Sequence, residues 1–245
     1  MKVKVGLEFH QRLESDGKLF CPCDPHLNDQ TKGECFRTLR PKAGERGLTD
    51  PAAMYEFVRG SQYIYQIPEN ACLVELDEEP PHLVNEKALK TAIKIAKMFH
   101  CKIPRETYVM RKIVLDGSNV SGFQRTMLIG LDGYIEVDGK KIEITGVYLE
   151  EESAGKVDKG VFRLDRLGIP LVEISTGIIE GDPAFVKKVA LTIGKSLRLT
   201  GEVQRGIGTI RQDVNVSIPG GARIEIKGVQ DVDILDKIIE LEIER

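Results

Sequence analysis

Between Thr126 and Lys227 the chain repeatedly alternates apolar and polar residues with a period of two, and no other feature confines its folding as strongly. Alternation of this kind builds strands with one buried and one open face, because successive side chains leave a strand on opposite sides. Strands are predicted at 126–131, 134–137, 141–151, 170–176, 210–218 and 222–227. Another is predicted over residues 2–10, with Val3, Val5, Leu7 and Phe9 on one face and Lys2, Lys4, Glu8 and His10 on the other. Asp138-Gly139 is a strong hairpin signal, since both residues tolerate the positive φ of a two-residue turn. Asp50-Pro51 opens a helix predicted to run to about Tyr65, and Asn85 caps a second with Leu89, Ala92, Ile93, Ala96 and Phe99 on one stripe. Asp182-Pro183 opens a third, carrying Phe185, Val189, Ile193 and Leu197 and closed by Gly201. A last helix with Val232, Leu235, Ile238 and Ile239 runs to Arg245 without a Gly or Pro stop, as if cut within the helix. Residues 21–49, rich in Cys, Pro, Gly and charge, read as an irregular excursion. Hairpins with separated helices indicate the α+β class with a largely antiparallel sheet. At 245 residues the chain suffices for one large domain or two small ones.

The net charge of -3 gives no overall basic field, so composition points to no nucleic-acid partner. The start of the chain is strand-like rather than a charged segment followed by an apolar run, and no apolar stretch approaches the ~20 residues that span a bilayer. With five cysteines, an odd number, this favours reduced thiols in the cytoplasm and no membrane association.

The polar faces of the predicted strands carry the chemistry. Arg211, Asp213, Asn215 and Ser217 share one face, as do Arg223, Glu225 and Lys227, Glu173 and Ser175, and Glu8 and His10. For one strand, solvation explains such a face. Four strands with Asp, Glu, Asn, Arg or His where Thr and Lys are usual form a surface suited to a metal ion and a phosphate. Glu150-Glu151-Glu152 closes another strand, and three adjacent carboxylates cost Coulomb energy unless cations offset it. Oxygen-rich ligation with one imidazole suits Mg²⁺ or Mn²⁺ better than Zn²⁺. Separately, Cys21-x-Cys23 with Cys35 is part of a zinc site that His26 could complete, although a fourth cysteine at C-x-x-C spacing is missing. Cys72 and Cys101 read as core thiols. There is no G-x-x-x-x-G-K-[ST] loop, no G-x-S-x-G elbow and no cysteine nucleophile of the kind that releases ammonia from glutamine.

Several segments resemble a known family. Gly6-Leu7-Glu8-Phe9-His10-Gln11 followed by Lys18-Leu19-Phe20-Cys21 is similar to the opening signature of the B and E subunits of tRNA-dependent amidotransferases. Arg111-Lys112 with Asp116-Gly117-Ser118-Asn119-Val120-Ser121-Gly122-Phe123-Gln124-Arg125 resembles the archaeal E type, and so does Glu75-Leu76-Asp77-Glu78-Glu79-Pro80-Pro81-His82. So does Leu164-Asp165-Arg166-Leu167-Gly168-Ile169-Pro170-Leu171-Val172-Glu173-Ile174. Leu149-Glu150-Glu151-Glu152-Ser153-Ala154 matches an L-E-E-D-A pattern with Glu152 for Asp, and Arg211-x-Asp213-x-Asn215-x-Ser217 with Glu225-x-Lys227 also matches.

The resemblance implies a cradle-shaped catalytic domain over 1–245, related in fold to glutamine synthetase. It implies ATP-dependent phosphorylation of the γ-carboxylate of Glu-tRNA(Gln), then amidation to Gln-tRNA(Gln) with ammonia from an asparaginase-like D subunit, in a complex of two D and two E subunits. Glu8, His10, Glu151 and Glu173 would hold magnesium (or manganese), with Glu151, Glu173, Arg211 and Lys227 catalytic. Arg211, Asp213, Asn215, Ser217, Glu225 and Lys227 would line the ATP and acyl-phosphate region. The four-cysteine zinc site of the B type is not reproduced. The aspartyl-tRNA-synthetase-like insertion and helical tRNA-binding tail of the E type would lie beyond Arg245, which implies weak tRNA binding by these residues alone. The rival readings are the B type, a small-molecule ligase of the glutamine synthetase kind, and a non-catalytic module that docks tRNA or a partner protein.

Overall fold

Val3, Val5, Leu7 and Phe9 are each at most 2% exposed, and their strand lies in the middle of the main sheet. The computed structural model describes residues 3–44 and 46–245, so Lys2 of the first predicted strand lies outside the described residues. In chain order the elements are β1 (Val3–Arg12), β2 (Thr31–Thr38), α1 (Pro51–Arg59), β3 (Gln62–Pro68), α2 (Glu86–Met98), β4 (Val109–Ile113), β5 (Phe123–Val137), β6 (Lys140–Glu151), β7 (Gly155–Asp158), β8 (Val161–Arg163), β9 (Pro170–Thr176), β10 (Ile179–Gly181), α3 (Pro183–Leu199), β11 (Ile210–Ser217), β12 (Ile224–Val229) and α4 (Leu235–Glu244). Eight strands form an antiparallel sheet in the order β12-β11-β1-β9-β6-β5-β4, with β10 also paired to β1. β2, β3, β8 and β7 form a second, smaller sheet that contains one parallel pair, β3 with β8. The class is α+β, with four α-helices among the described residues.

α2, α3 and α4 cover one face of the main sheet. α2 packs on β5 and β6, α4 on β11, and α3 on α4, β5 and β10. Asn85 accepts from Ala88 N and Asp182 from Phe185 N, capping α2 and α3, and Gly201 takes the chain out of α3 at φ +69°. Ala88, Ala92, Ile95 and Ala96 of α2 and Val186, Val189, Ile193 and Leu197 of α3 meet the buried side chains of β1, β6, β9 and β11 in one core. Each fully buried Leu, Ile, Val or Phe there contributes ~1.5–3 kcal/mol relative to exposure. The opposite face is left to the polar side chains.

Several expectations are corrected. The predicted strands 126–131 and 134–137 are one strand of 15 residues, β5. Gly130 and Gly133 suggest a break, but their pairing with β6 continues, and they are glycine because the end of α2 lies against them. A Cβ on Gly133 would collide with Cys101 Sγ and with Phe99 O. The first helix stops at Arg59, where Gly60 adopts φ 72°, and the aromatic-rich stretch after it forms β3 instead of continuing to Tyr65. The excursion at 21–49 contains β2, whose largely exposed residues give no apolar period. β12 starts at Ile224, so Arg223 precedes it, and Val232 belongs to a 3₁₀ turn (Val232–Ile234) ahead of α4. Asp138 and Gly139 do form the hairpin turn between β5 and β6, at φ 51° and 72°. No helix among the described residues is long and apolar enough to cross a membrane.

Candidate active site

In register, β1 pairs Glu8 with Asp213 and His10 with Arg211 on one side, and Glu8 with Ser175 and His10 with Glu173 on the other. Paired residues in an antiparallel sheet project to the same face, so the polar set of these adjacent strands is gathered on one surface. His10 Nε2 lies 3.6 Å from Glu8 Oε1, 3.6 Å from Glu173 Oε2 and 3.8 Å from Glu150 Oε1. Lys112 reaches in from the edge strand β4, with Nζ 3.3 Å from Glu173 Oε2 and 4.0 Å from Glu150 Oε2. Thr126 Oγ1 donates to Glu150 Oε2 at 3.3 Å.

Crowding of these charges perturbs all of them. Burial, then the Glu173 charge, push the carboxyls of Glu8 and Glu150 above their usual range. Burial acts the same way on Glu173, but its contacts with His10 and Lys112 outweigh it and hold that carboxyl below. Burial disfavours the charged forms of His10 and Lys112, yet the surrounding carboxylates outweigh it and raise both. Glu150 therefore titrates in a direction that can be checked. With its folded pKa raised, the stability contributed by its neutral carboxyl is present below the ordinary carboxylate pKa and lost as pH rises through the raised one. Glu150→Gln is expected to flatten the fall in metal-free melting temperature over that interval, read from thermal melts between acid and neutral pH. An unchanged slope contradicts this.

The donor set fits a hard divalent cation. The ligand atoms of Glu8, His10 and Glu173 all lie within 4.8 Å of one another, with Glu150 beside them. Ligands around Mg²⁺ at about 2.1 Å stand ~3–4 Å apart, so a small closing movement lets these groups share one ion. Carboxylate oxygens with a single imidazole are chemistry for Mg²⁺ or Mn²⁺.

Next to this anionic cluster lies a cationic one. Glu152, fully buried, receives Arg12 Nε and Arg211 Nη1, the latter at 2.6 Å, and Arg166 Nε lies 3.6 Å from its Oε1. Burial alone would raise its pKa, but Arg211, Arg166 and Arg12 together hold it below the usual value. Three guanidiniums around one carboxylate leave surplus positive charge, which suits an anion such as phosphate. Farther along, Asp213 accepts from Lys227 Nζ at 3.2 Å and from Gly228 N at 2.7 Å, and Lys227 also contacts Glu225 Oε2 at 3.1 Å. Asn215 pairs in register with Glu225.

Not every expected residue joins this surface. Glu151 faces the opposite way, where its carboxylate accepts from Arg125 N at 3.2 Å and Arg125 Nη1 at 3.0 Å, and the same guanidinium packs over the rings of Phe20 and Phe123. Glu150 occupies the place expected for it. The register of β6 against β9 shifts between Ile144 and Gly146, and beyond that bulge Val147, Leu149 and Glu151 point to the core side. Ser217 lies two pleats beyond Asp213 with its hydroxyl directed to Lys4 O. Cys35 stands on β2 opposite Tyr65, apart from Cys21 and Cys23, and His26 pairs with Asp24 and Glu14 at the surface. Sequence reasoning missed Glu150 and Lys112 as members of the cluster, and Arg12 and Arg166 as partners of Glu152. For Glu150 a signal existed, since it lies between buried core-side neighbours on its own strand.

A family model described as the GatB/GatE catalytic domain matches residues 3–245. Among curated relatives, the glutamyl-tRNA(Gln) amidotransferase E chain of Aeropyrum pernix is 52% identical over 248 residues, covering 99% of this chain and 39% of the relative. Those of Archaeoglobus fulgidus and Methanocaldococcus jannaschii are 52% and 51% identical, each over 99% of this chain and over 41% and 40% of their own lengths. The chain thus spans about two fifths of the length of these relatives.

Proposed function

The chain belongs to the GatB/GatE catalytic domain family, and from that premise we propose that its polar sheet face activates the γ-carboxylate of Glu-tRNA(Gln) with ATP for conversion to the amide. The observation that carries this reading is the placement of an anionic cluster, Glu8, His10, Glu150 and Glu173, beside a cationic one built on Arg12, Arg166 and Arg211. A carboxylate acylates poorly because oxide is its leaving group. When its oxygen attacks the γ-phosphorus of ATP, the bond to ADP breaks and an acyl phosphate forms. Ammonia then attacks the acyl carbon, the C–O bond to phosphate breaks, and amide, ADP and phosphate result.

Phosphoryl transfer demands positioning and charge stabilisation more than covalent help. Bound Mg²⁺ would neutralise phosphate charge, and Glu8, His10 and Glu173, with Glu150 alongside, are the residues to hold it. Their places on adjacent strands of a rigid sheet fix the spacing. Arg211 offers its guanidinium to the phosphate oxygens, oriented by Glu152. Lys227, held by Asp213, reaches the same face, with Asn215 and Glu225 bordering the nucleotide region. Ammonia comes from an asparaginase-like D subunit, in a cytoplasmic assembly of two D and two E subunits. The names of the relatives, each one chain of an amidotransferase, support a multi-subunit enzyme.

The test uses the full-length E chain with Glu-tRNA(Gln), and either its D partner with glutamine or ammonium chloride alone. Gln-tRNA(Gln) is expected to form only with ATP and a divalent ion, and EDTA is expected to stop it. Amidation without ATP, or undiminished in EDTA, would refute the reading. Variants of the polar face that leave turnover intact but release tRNA or the D partner would replace it with a docking role.

A further inference from the structure

On β6, Gly146, Tyr148 and Glu150 point to the polar face of the main sheet, because Val147, Leu149 and Glu151 take the core side. Tyr148 pairs in register with Glu173 of β9 on one side and with Leu128 of β5 on the other, and Gly146 pairs with Ser175 and Leu131. Paired residues share a face, so Tyr148, Leu128 and Leu131 form an apolar shelf one rung from the carboxylate that organises the anionic cluster. All three are half-buried, and none belongs to either hydrophobic core. The Tyr148 ring lies over Gly146, where a Cβ would come within 2.6 Å of Tyr148 Cε2 and 2.8 Å of its hydroxyl oxygen. Among the described residues, the Tyr148 hydroxyl makes no hydrogen bond, and no other ring or cation stacks on this side chain.

We infer that this shelf stacks the terminal adenine of the glutamyl-tRNA, with Tyr148 as the platform and Leu128 and Leu131 as its margin. The inference rests on the reading proposed above and adds to it the seat of the aminoacyl end. Phosphoryl transfer sets the attacking and leaving oxygens roughly in line through phosphorus, so the two substrates approach from opposite sides. The nucleotide region assigned above lies on β11 and β12, and the anionic cluster centres on β1 and β9. β6 and β5 follow on the far side of that cluster, the side left for the molecule that delivers the carboxylate. Its glutamyl group is esterified to the ribose of the terminal adenosine, so that adenine is the large flat surface nearest the reacting carboxylate. A half-exposed tyrosine ring stacks on the π-face of a base, and leucines beside it suit the rim of a base better than phosphate or ribose. An apolar patch on an otherwise charged face gains by being covered, whereas a solvated strand position would carry Thr or Lys. Gly146 is part of the device, since a side chain there would drive the ring off the sheet.

The test uses the full-length E chain and a Glu-tRNA(Gln) whose terminal adenine is replaced by 2-aminopurine, a fluorescent base dimmed by stacking on an aromatic ring. Mixing with the wild-type chain, without ATP, is expected to quench the fluorescence, and the Tyr148→Leu chain is expected to leave it bright. Initial rates of amidation with ammonium chloride and unmodified Glu-tRNA(Gln) give the second readout. Tyr148→Leu is expected to raise the KM for Glu-tRNA(Gln) by about tenfold or more while the KM for ATP stays in place. Gly146→Ala, which displaces the ring without removing it, is expected to act the same way, and Tyr148→Phe to bring the KM back. A rise confined to the KM for ATP would assign the ring to the nucleotide and overturn the inference, as would equal quenching by the wild-type and Tyr148→Leu chains. Quenching that needs Tyr148, in a protein whose amidation needs no ATP, would uphold the shelf and refute the activation reading. ATP-dependent amidation by a wild-type chain that does not quench would do the reverse.

Discussion

Glu173→Gln in the full-length protein is expected to lower ATP-dependent amidation by on the order of 10²–10³, the scale associated with losing one preorganised electrostatic contact to a transition state. Glu173 contacts His10 and Lys112 at once and belongs to the three donors that close on one point, so its charge organises the cluster. Gln keeps size and hydrogen bonding but cannot ligate Mg²⁺ as an anion. Stability is also expected to fall somewhat near neutral pH. The folded carboxyl has a lowered pKa, so its contribution is present above the unfolded value and lost as pH falls through the lowered one. Initial rates at saturating ATP, read beside a thermal melt, separate the two effects. A folded Glu173→Gln protein with the wild-type rate would remove this residue from the site.

Glu152→Ala is expected to produce the largest loss of stability. It strands Arg12, which is 4% exposed, together with Arg166 and Arg211, and removing one partner of a buried ion pair costs ~3–5 kcal/mol. For a chain of this size the melting temperature should drop by on the order of 10 °C. Activity should fall as well, because Arg211 loses its anchor. Glu152→Asp keeps the charge with one methylene fewer, so it should recover most of the loss. A shift smaller than about 2 °C for Glu152→Ala would mean that the guanidiniums find other partners.

What could be read from the sequence depended on whether a residue faces the core. β1, β9 and β11 were legible because Val, Ile and Leu on one face force the alternate residues onto the other, which brought Glu8, His10, Glu173, Arg211 and Asp213 to one surface in advance. β2 and β4 were not, since they are mostly exposed strands defined by a partner rather than by their own pattern. Lys112 went unnoticed with β4. Glu151 entered the expected set through the family motif rather than through periodicity, whereas beyond the bulge in β6 the alternation of Val147 and Leu149 turns Glu150, not Glu151, to the polar face. The cysteines failed for a different reason. Cys72 and Glu75 lie about fifty residues from Cys21 and Cys23, and only the folded chain joins them. Gly130 and Gly133 imitated a turn because close helix approach and chain reversal call for the same residue.

Activation by phosphorylation leaves its record in the oxygen atoms of the substrate. With ¹⁸O in both positions of the γ-carboxylate of Glu-tRNA(Gln), ATP, Mg²⁺ and ammonia, the full-length protein should release phosphate carrying one ¹⁸O and leave the other in the amide. The folded Glu173→Gln protein should transfer little label. Phosphate free of ¹⁸O during wild-type amidation, or full transfer by the Glu173→Gln protein, would contradict activation by phosphorylation on the face built from Glu8, His10 and Glu173.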